Sequence, residues 1–307
     1  MLCLPLPDFV IKKINSICRS FIWTGKATNS RKSPVAWHHV CKPVKQGGLN
    51  ILNLQVWNSV ALMKSLWNIC MKVDNLWVKW VHTYYLKGRN YDAEINTNNC
   101  TWILKCIMTK IQDISGVQHL WNSMIAQAKF QMMKVYSMLM GDDSRIDWYH
   151  LMSHNFARPR AKVIMWLAIQ DRLPTKMRLH RLGLLQDTTC ALCGVAEESV
   201  DHILFHCSHT VRLWDRLLEW LDKQTAGTMN FNWIKRVTKG KGQNKGMLKA
   251  TLTEVVYGIW MHRNKRIFDT VMDNMDIQCM ARDIIDTLVY RRWQKPNYRK
   301  IIVNTLM

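Results

Sequence analysis

Apolar residues recur at helical spacing along most of the chain. In LPDFVIKKINSICRSFIWTG, Phe9, Ile11, Ile14, Ile17, Cys18, Phe21 and Ile22 share one helical face, and Gly25 ends the run. The next stretch, PVAWHHVCKPVKQGGLNILNL, is short and turn-rich. Val35, Trp37 and Val40 suit a brief extended piece there, and Gly47-Gly48 a turn. A second helix is predicted over 55–73, carrying Trp57, Val60, Ala61, Met63 and Trp67. Residues 74–100 mix Trp- and Tyr-rich pieces with Asn-rich turns, and NYDAEINTNNC reads as a boundary. After a short apolar stretch over 102–114, helix returns at 117–141 and, more strongly apolar with a basic start, at 158–170. Pro174 then interrupts the chain and Thr175 is placed to cap a new helix. Residues 210–221 read as helix. KRVTKGKGQNKGMLK (235–249), with six basic residues, three Gly and no acid, reads as a flexible linker or binding loop. Two amphipathic helices close the sequence. One carries Leu252, Val255, Val256, Ile259 and Trp260 on a face, the other Ile277, Met280, Ile284, Ile285 and Leu288.

Composition narrows the class. The 307 residues are 48% hydrophobic, with 15 Trp and 19 Met, which is core material for two domains rather than one. With 21% charged residues, 13 Gly and 7 Pro, a disordered or collagen-like chain is excluded. No run nears the roughly 18 apolar residues of a membrane helix. The opening MLCLPLPDFVIKK lacks the basic start and long apolar core of a signal peptide, so a reducing nuclear or cytoplasmic compartment is expected, not secretion.

Charge brings in a partner. Forty-three Lys and Arg against 22 Asp and Glu give +21, spread as +10 over 1–150 and +11 over 151–307. So large an excess through a folded chain repels itself unless a polyanion is near, and RNA or DNA is the usual one. The plainer alternative is a generally basic protein.

Seven of the ten cysteines (Cys3, Cys18, Cys41, Cys70, Cys100, Cys106 and Cys279) are scattered and read as small buried hydrophobes. The other three cluster with a histidine as Cys-x2-Cys-x8-His-x4-Cys: Cys190, Cys193, His202 and Cys207. Two thiolates two residues apart can both face one ion at about 2.3 Å, and the His-Cys pair supplies the other half of a tetrahedron. Three thiolates and one imidazole close the shell, so one structural Zn2+ without an open catalytic position is expected. His202 and Cys207 suit one straight helical face poorly, so the helix should break near Cys207-Ser208. His206 and, behind it, His209 stand as alternative ligands. The competing reading is a buried CxxC with surface histidines. A redox CxxC is disfavoured because no βαβ pattern precedes it.

WLAIQDRLPTKMRLHRLGLLQDTTCALCGVAEESVDHILFHCSHTVRLW (166–214) resembles the reverse-transcriptase zinc-binding domain, which follows the polymerase in non-LTR (LINE-type) retrotransposons, chiefly of plants. The RLPT turn, the Gly-Leu before the knuckle, CxLC, ES-x-DH and the Trp after the last Cys stand in the family order. The resemblance implies the same four ligands that spacing selects. KFQMMKVYSMLMG is similar to the family's leading helix, and LPDFVIKKINSICRSFIWTG, VAWHHVCKPVKQGGLNILNL and WNSVALMKSLW resemble the stretch between the polymerase thumb and the zinc domain. VVYGIWMHRNKRIFD resembles the helix after the zinc module, although His262 stands where an acid is common. The implied fold class is mainly α: helical domains around a small CCHC zinc module, with minor β at most. The implied division is a post-polymerase helical region (1–100), a linker and variable region (101–128), the zinc-binding domain (129–222), a basic flexible linker (223–250) and C-terminal amphipathic helices (251–307).

No catalysis is expected. A polymerase needs paired aspartates on a palm hairpin. Met140-Gly141-Asp142-Asp143 echoes that box but follows a helical run and lacks the aromatic. A metal-dependent nuclease would have to use Asp142, Asp143 and Asp147, the one dense acidic group. Seven basic residues lead into the metal loop (Arg158, Arg160, Lys162, Arg172, Lys176, Arg178 and Arg181) against a single acid, Asp171. They are the candidate phosphate contacts, and the plainer alternative is a solvated helix face. Trp166, Trp214 and Trp260 read as core, and His38, His39 and His262 as structural. The function expected is a non-catalytic, zinc-stabilised, nucleic-acid-binding fragment of a retrotransposon polyprotein. Its rivals are a domesticated protein whose zinc module supports a protein interface, and a non-functional pseudogene product.

Overall fold

A computed structural model describes residues 5–25, 33–87, 89, 100–141, 144–220, 229–240, 243–268 and 277–293. The chain divides into two compact units, 1–144 and 145–307. Among the described residues there is helix and one isolated antiparallel bridge, Thr189 with Glu197, so the fold is mainly α as the apolar spacing predicts.

The first unit comprises α1 (Asp8–Thr24), α2 (Trp37–Cys41), α3 (Leu54–Cys70), α4 (Leu76–Val81), α5 (Trp102–Met108), α6 (Lys110–Asp113), α7 (Gln118–Ala126) and α8 (Met132–Met140). Gly25 ends α1 in the left-handed conformation, its N–H on the Phe21 carbonyl. The Asn53 side chain caps α3 by accepting from the Gln55 and Val56 amides, while the Asn53 amide donates to the Tyr136 hydroxyl at 3.0 Å. Val60, Met63, Leu66 and Ile69 of α3 build the core with Val81, Leu104, Ile107, Trp121 and Met124.

Two expectations fail here for local reasons. Residues 35–40 are not extended. Trp37–Cys41 form a short helix that buries the adjacent Val40 and Cys41, too short a piece for periodicity to reveal. Residues 117–141 are two helices, because the chain reverses at Ala128 (φ 48°) to set Phe130 against Trp67 and Trp121, with ring centroids 6.0 and 6.4 Å apart. The Gly47-Gly48 turn is present. A side chain at Gly48 would collide with the Lys42 backbone.

The second unit comprises α9 (Tyr149–Met152), α10 (Pro159–Ile169), α11 (Lys176–Arg181), α12 (Ser208–Trp220), α13 (Phe231–Thr238), α14 (Gln243–Phe268) and α15 (Ile277–Trp293). Proline opens α10 at a position where its missing N–H costs nothing. Helix α10 packs on α14, which also packs on α15. Met165, Trp166, Leu252, Val255, Val256 and Ile259 are buried there, and Trp260 is 4% exposed.

The stretch 235–249, expected to be flexible, lies largely in α13 and α14. Three of its lysines are tied down: Lys235 pairs with Asp147 at 3.0 Å, Lys245 Nζ donates to the Val237 carbonyl, and Lys249 is buried. Gly246 serves packing, since a Cβ there would sit 3.0 Å from the Phe156 ring. The Asp142-Asp143 pair lies outside the described residues.

Candidate metal centre

The metal loop is built by short backbone bonds. The Cys190 amide donates to the Ala196 carbonyl at 2.7 Å and the Glu198 amide to the Thr188 carbonyl at 2.7 Å, closing a small hairpin around the Thr189–Glu197 bridge. Gly194 supplies the left-handed residue (φ 69°) that turns the chain after Cys193 and donates back to the Cys190 carbonyl. Ser199 Oγ accepts from the His202 amide at 3.0 Å. Residues His202–His206 then wind as one wide π turn. Cys207 leaves the helical region (φ −70°, ψ 133°), and its carbonyl accepts from the Thr210 and Val211 amides to begin α12. The break expected near Cys207 is therefore real. It lets His202 and Cys207, five apart, face one point.

Cys190, Cys193, His202 and Cys207 converge there, with their ligand atoms all within 4.8 Å of one another. Cys193 Sγ and His202 Nε2 are 3.4 Å apart. A tetrahedral zinc with Zn–S about 2.3 Å and Zn–N about 2.0 Å has an S-to-N edge of roughly 3.6 Å, so the donors fit that ion. Cys190 and Cys207 are buried, and Cys193 and His202 partly so. The hydrogen bond between Cys190 and Cys207 holds the Cys190 thiol well below its ordinary pKa and pushes that of Cys207 up, helped by burial. Backbone amides of Leu192 and Cys193 further stabilise the Cys190 thiolate. An ion held by these four would cross-link the hairpin to the start of α12 and supply order rather than reactivity. His206 does not join them. It is exposed, with Nε2 3.0 Å from Asp201. His209 is also exposed.

Glu198, which the sequence marks only as the first residue of ES-x-DH, organises the loop. It is fully buried. Oε1 accepts from the Lys176 amide at 2.8 Å and from Arg263, and Oε2 from the Ala191 amide at 3.1 Å. One carboxylate thus ties α11, the CxxC turn and α14 together. Trp214 closes the other side, its Nε1 donating to the Leu204 carbonyl at 2.6 Å and its ring stacking on Phe205.

The candidate basic residues separate into two kinds. Arg158 is committed within the fold: its amide and Nε reach Glu254 at 2.6 and 2.8 Å, and its guanidinium covers the Tyr257 ring. Lys176 pairs with Asp187 at 2.6 Å, which lowers the Asp187 pKa to about 2. Lys162 is half-buried and Arg160 exposed on α10. Arg172, Arg178 and Arg181 instead crowd around Asp171. Arg178 Nη1 donates to the Asp171 carbonyl at 2.9 Å, and Arg181 lies 3.8 Å from its carboxylate. Partial burial, then Arg172 and Arg181, lower the pKa of Arg178.

A helical protein carrying a Cys3His loop of this kind belongs among those with a closed, structural metal site. The comparisons carry this further. Residues 130–214 match the family described as zinc-binding in reverse transcriptase, so the chain carries that zinc-binding domain from α8 through the four ligands to Trp214. An Arabidopsis thaliana protein named "Putative ribonuclease H protein" is 18% identical over 319 residues, covering 75% of this chain. The chain spans about half (51%) of that curated relative's length. No solved structure matches. Among the described residues no helix is long and apolar enough to cross a membrane.

Proposed function

We propose that this chain is a zinc-stabilised nucleic-acid-binding module of retroelement origin that contacts template RNA or target DNA and performs no chemistry of its own. One observation carries the reading: the Arg172, Arg178 and Arg181 cluster on and before α11, a helix fastened to the metal loop through Glu198. Three guanidiniums held close enough to disfavour one another form a surface that an added phosphate relieves. Four described carboxylates of the 145–307 unit favour binding over hydrolysis. Glu198, Glu254, Asp187 and Asp147 each hold a cationic partner, whereas a metal-dependent nuclease needs acids left for its ions. A reducing nuclear or cytoplasmic setting would keep the thiols available.

The test is binding of labelled RNA and DNA across salt. The wild type is expected to lose affinity steeply between about 50 and 200 mM salt, without base preference. The Arg172→Ala, Arg181→Ala double variant should flatten that slope by about one to two. A flat wild-type response would contradict the reading and favour a protein interface. An RNA–DNA hybrid incubated with Mg2+ and the chain should remain intact.

A further inference from the structure

A second cationic feature of the 145–307 unit is built by residues other than the α11 arginines and takes in the start of the basic stretch 235–249. The segment leading into α9, α9 itself and α13 enclose an open cleft of about 790 Å³. Two contacts brace its lining: His150 Nε2 is 2.9 Å from the Lys235 carbonyl, and Lys235 Nζ is 3.0 Å from Asp147. Its rim carries Arg236 and Lys239, both exposed. Arg145 Cζ lies over the Tyr149 ring, 3.8 Å from its centroid. Arg145, Lys235, Arg236 and Lys239 line the cleft with Asp147 as its acid, so the lining is strongly positive.

We propose that this cleft seats a segment of single-stranded nucleic acid, with Arg236 and Lys239 on successive phosphates and a base against the Arg145–Tyr149 stack. Three features favour that occupant. Exposed cations stand beside a lining braced by internal contacts, as a backbone-tracking groove requires. A guanidinium already stacked on an aromatic ring offers a further flat face to an unpaired base, which a duplex cannot present. The volume is of small-ligand scale (~300–1,000 Å³), which suits one or two nucleotide units. The assignment rests on the nucleic-acid reading above and names a surface for it separate from the α11 arginines.

The experiment uses the full zinc-loaded chain, fluorescence anisotropy, and labelled oligouridylate and oligothymidylate of equal length, which distinguish RNA from DNA. Arg236→Ala with Lys239→Ala is expected to weaken binding about tenfold at low salt. It should also reduce the salt slope by about 1.4, the value for two single-strand phosphate contacts. Tyr149→Leu is expected to weaken binding about fivefold with the slope unchanged. Circular dichroism and zinc content establish that each variant is folded. If the wild type binds and the folded double variant binds equally well, the assignment is overturned while the α11 reading stands. If polyglutamate displaces the oligonucleotide as well as unlabelled oligonucleotide does, the cleft is an unselective anion seat and the assignment is again overturned. If the wild type binds neither oligonucleotide, the underlying reading fails and takes the assignment with it.

Discussion

Glu198 Oε1 receives both Nε and Nη2 of Arg263, at 3.1 and 2.5 Å, from a helix 65 residues further along the chain. Both side chains are buried, and the Arg263 guanidinium also lies 4.8 Å from the Trp260 ring centroid. The same carboxylate holds the Ala191 amide inside the CxxC turn and the Lys176 amide at the start of α11. A buried ion pair therefore helps to anchor the metal loop to the helical core.

Arg263→Ala leaves Glu198 buried without its charge partner. A loss of about 3–5 kcal/mol is expected in denaturant unfolding. Pairing Glu198→Gln with Arg263→Met should recover part of it, since removing both charges also removes the desolvation cost. A double variant that is as unstable as the sum of the single ones would contradict the coupling.

Local signals were legible in the sequence, and distant ones were not. Gly25 and the Thr175 side chain, which accepts from the Arg178 amide, mark helix ends by their own chemistry. The four ligands follow from spacing, because a loop of this size brings them together whatever surrounds it. The pairing of Glu198 with Arg263 has no local mark; only the packing of α14 against the metal loop creates it. The stretch 235–249 misleads for the opposite reason. Glycine and lysine there suggest a loose linker, yet Gly246 makes room for Phe156 and Lys249 is buried. Composition reports how free a residue is, not what it packs against.

Arg158 is expected to behave differently from Arg172 and Arg181. Its bonds to the fully buried Glu254 predict that Arg158→Ala lowers stability by about 3 kcal/mol or more. Nucleic-acid affinity, measured on the protein that remains folded, should change little. Thermal unfolding and salt-dependent binding on the same variant check both halves.

Trp214→Phe retains an aromatic ring beside Phe205 but leaves the Leu204 carbonyl without its donor. A cost of about 1–3 kcal/mol is expected in equilibrium unfolding, with zinc still bound. Trp214→Ala also opens a cavity, and a cost of about 3–5 kcal/mol is expected from the lost packing.

The central claim is that Cys190, Cys193, His202 and Cys207 hold one zinc ion that gives the loop its order. Metal content and melting temperature, measured together on the purified chain before and after a strong chelator, test it most directly. The expected result is one zinc per chain, a marked fall in melting temperature on its removal, and stoichiometry near zero in Cys193→Ala. Undiminished metal in Cys193→Ala, or a melting curve indifferent to chelation, would contradict the account.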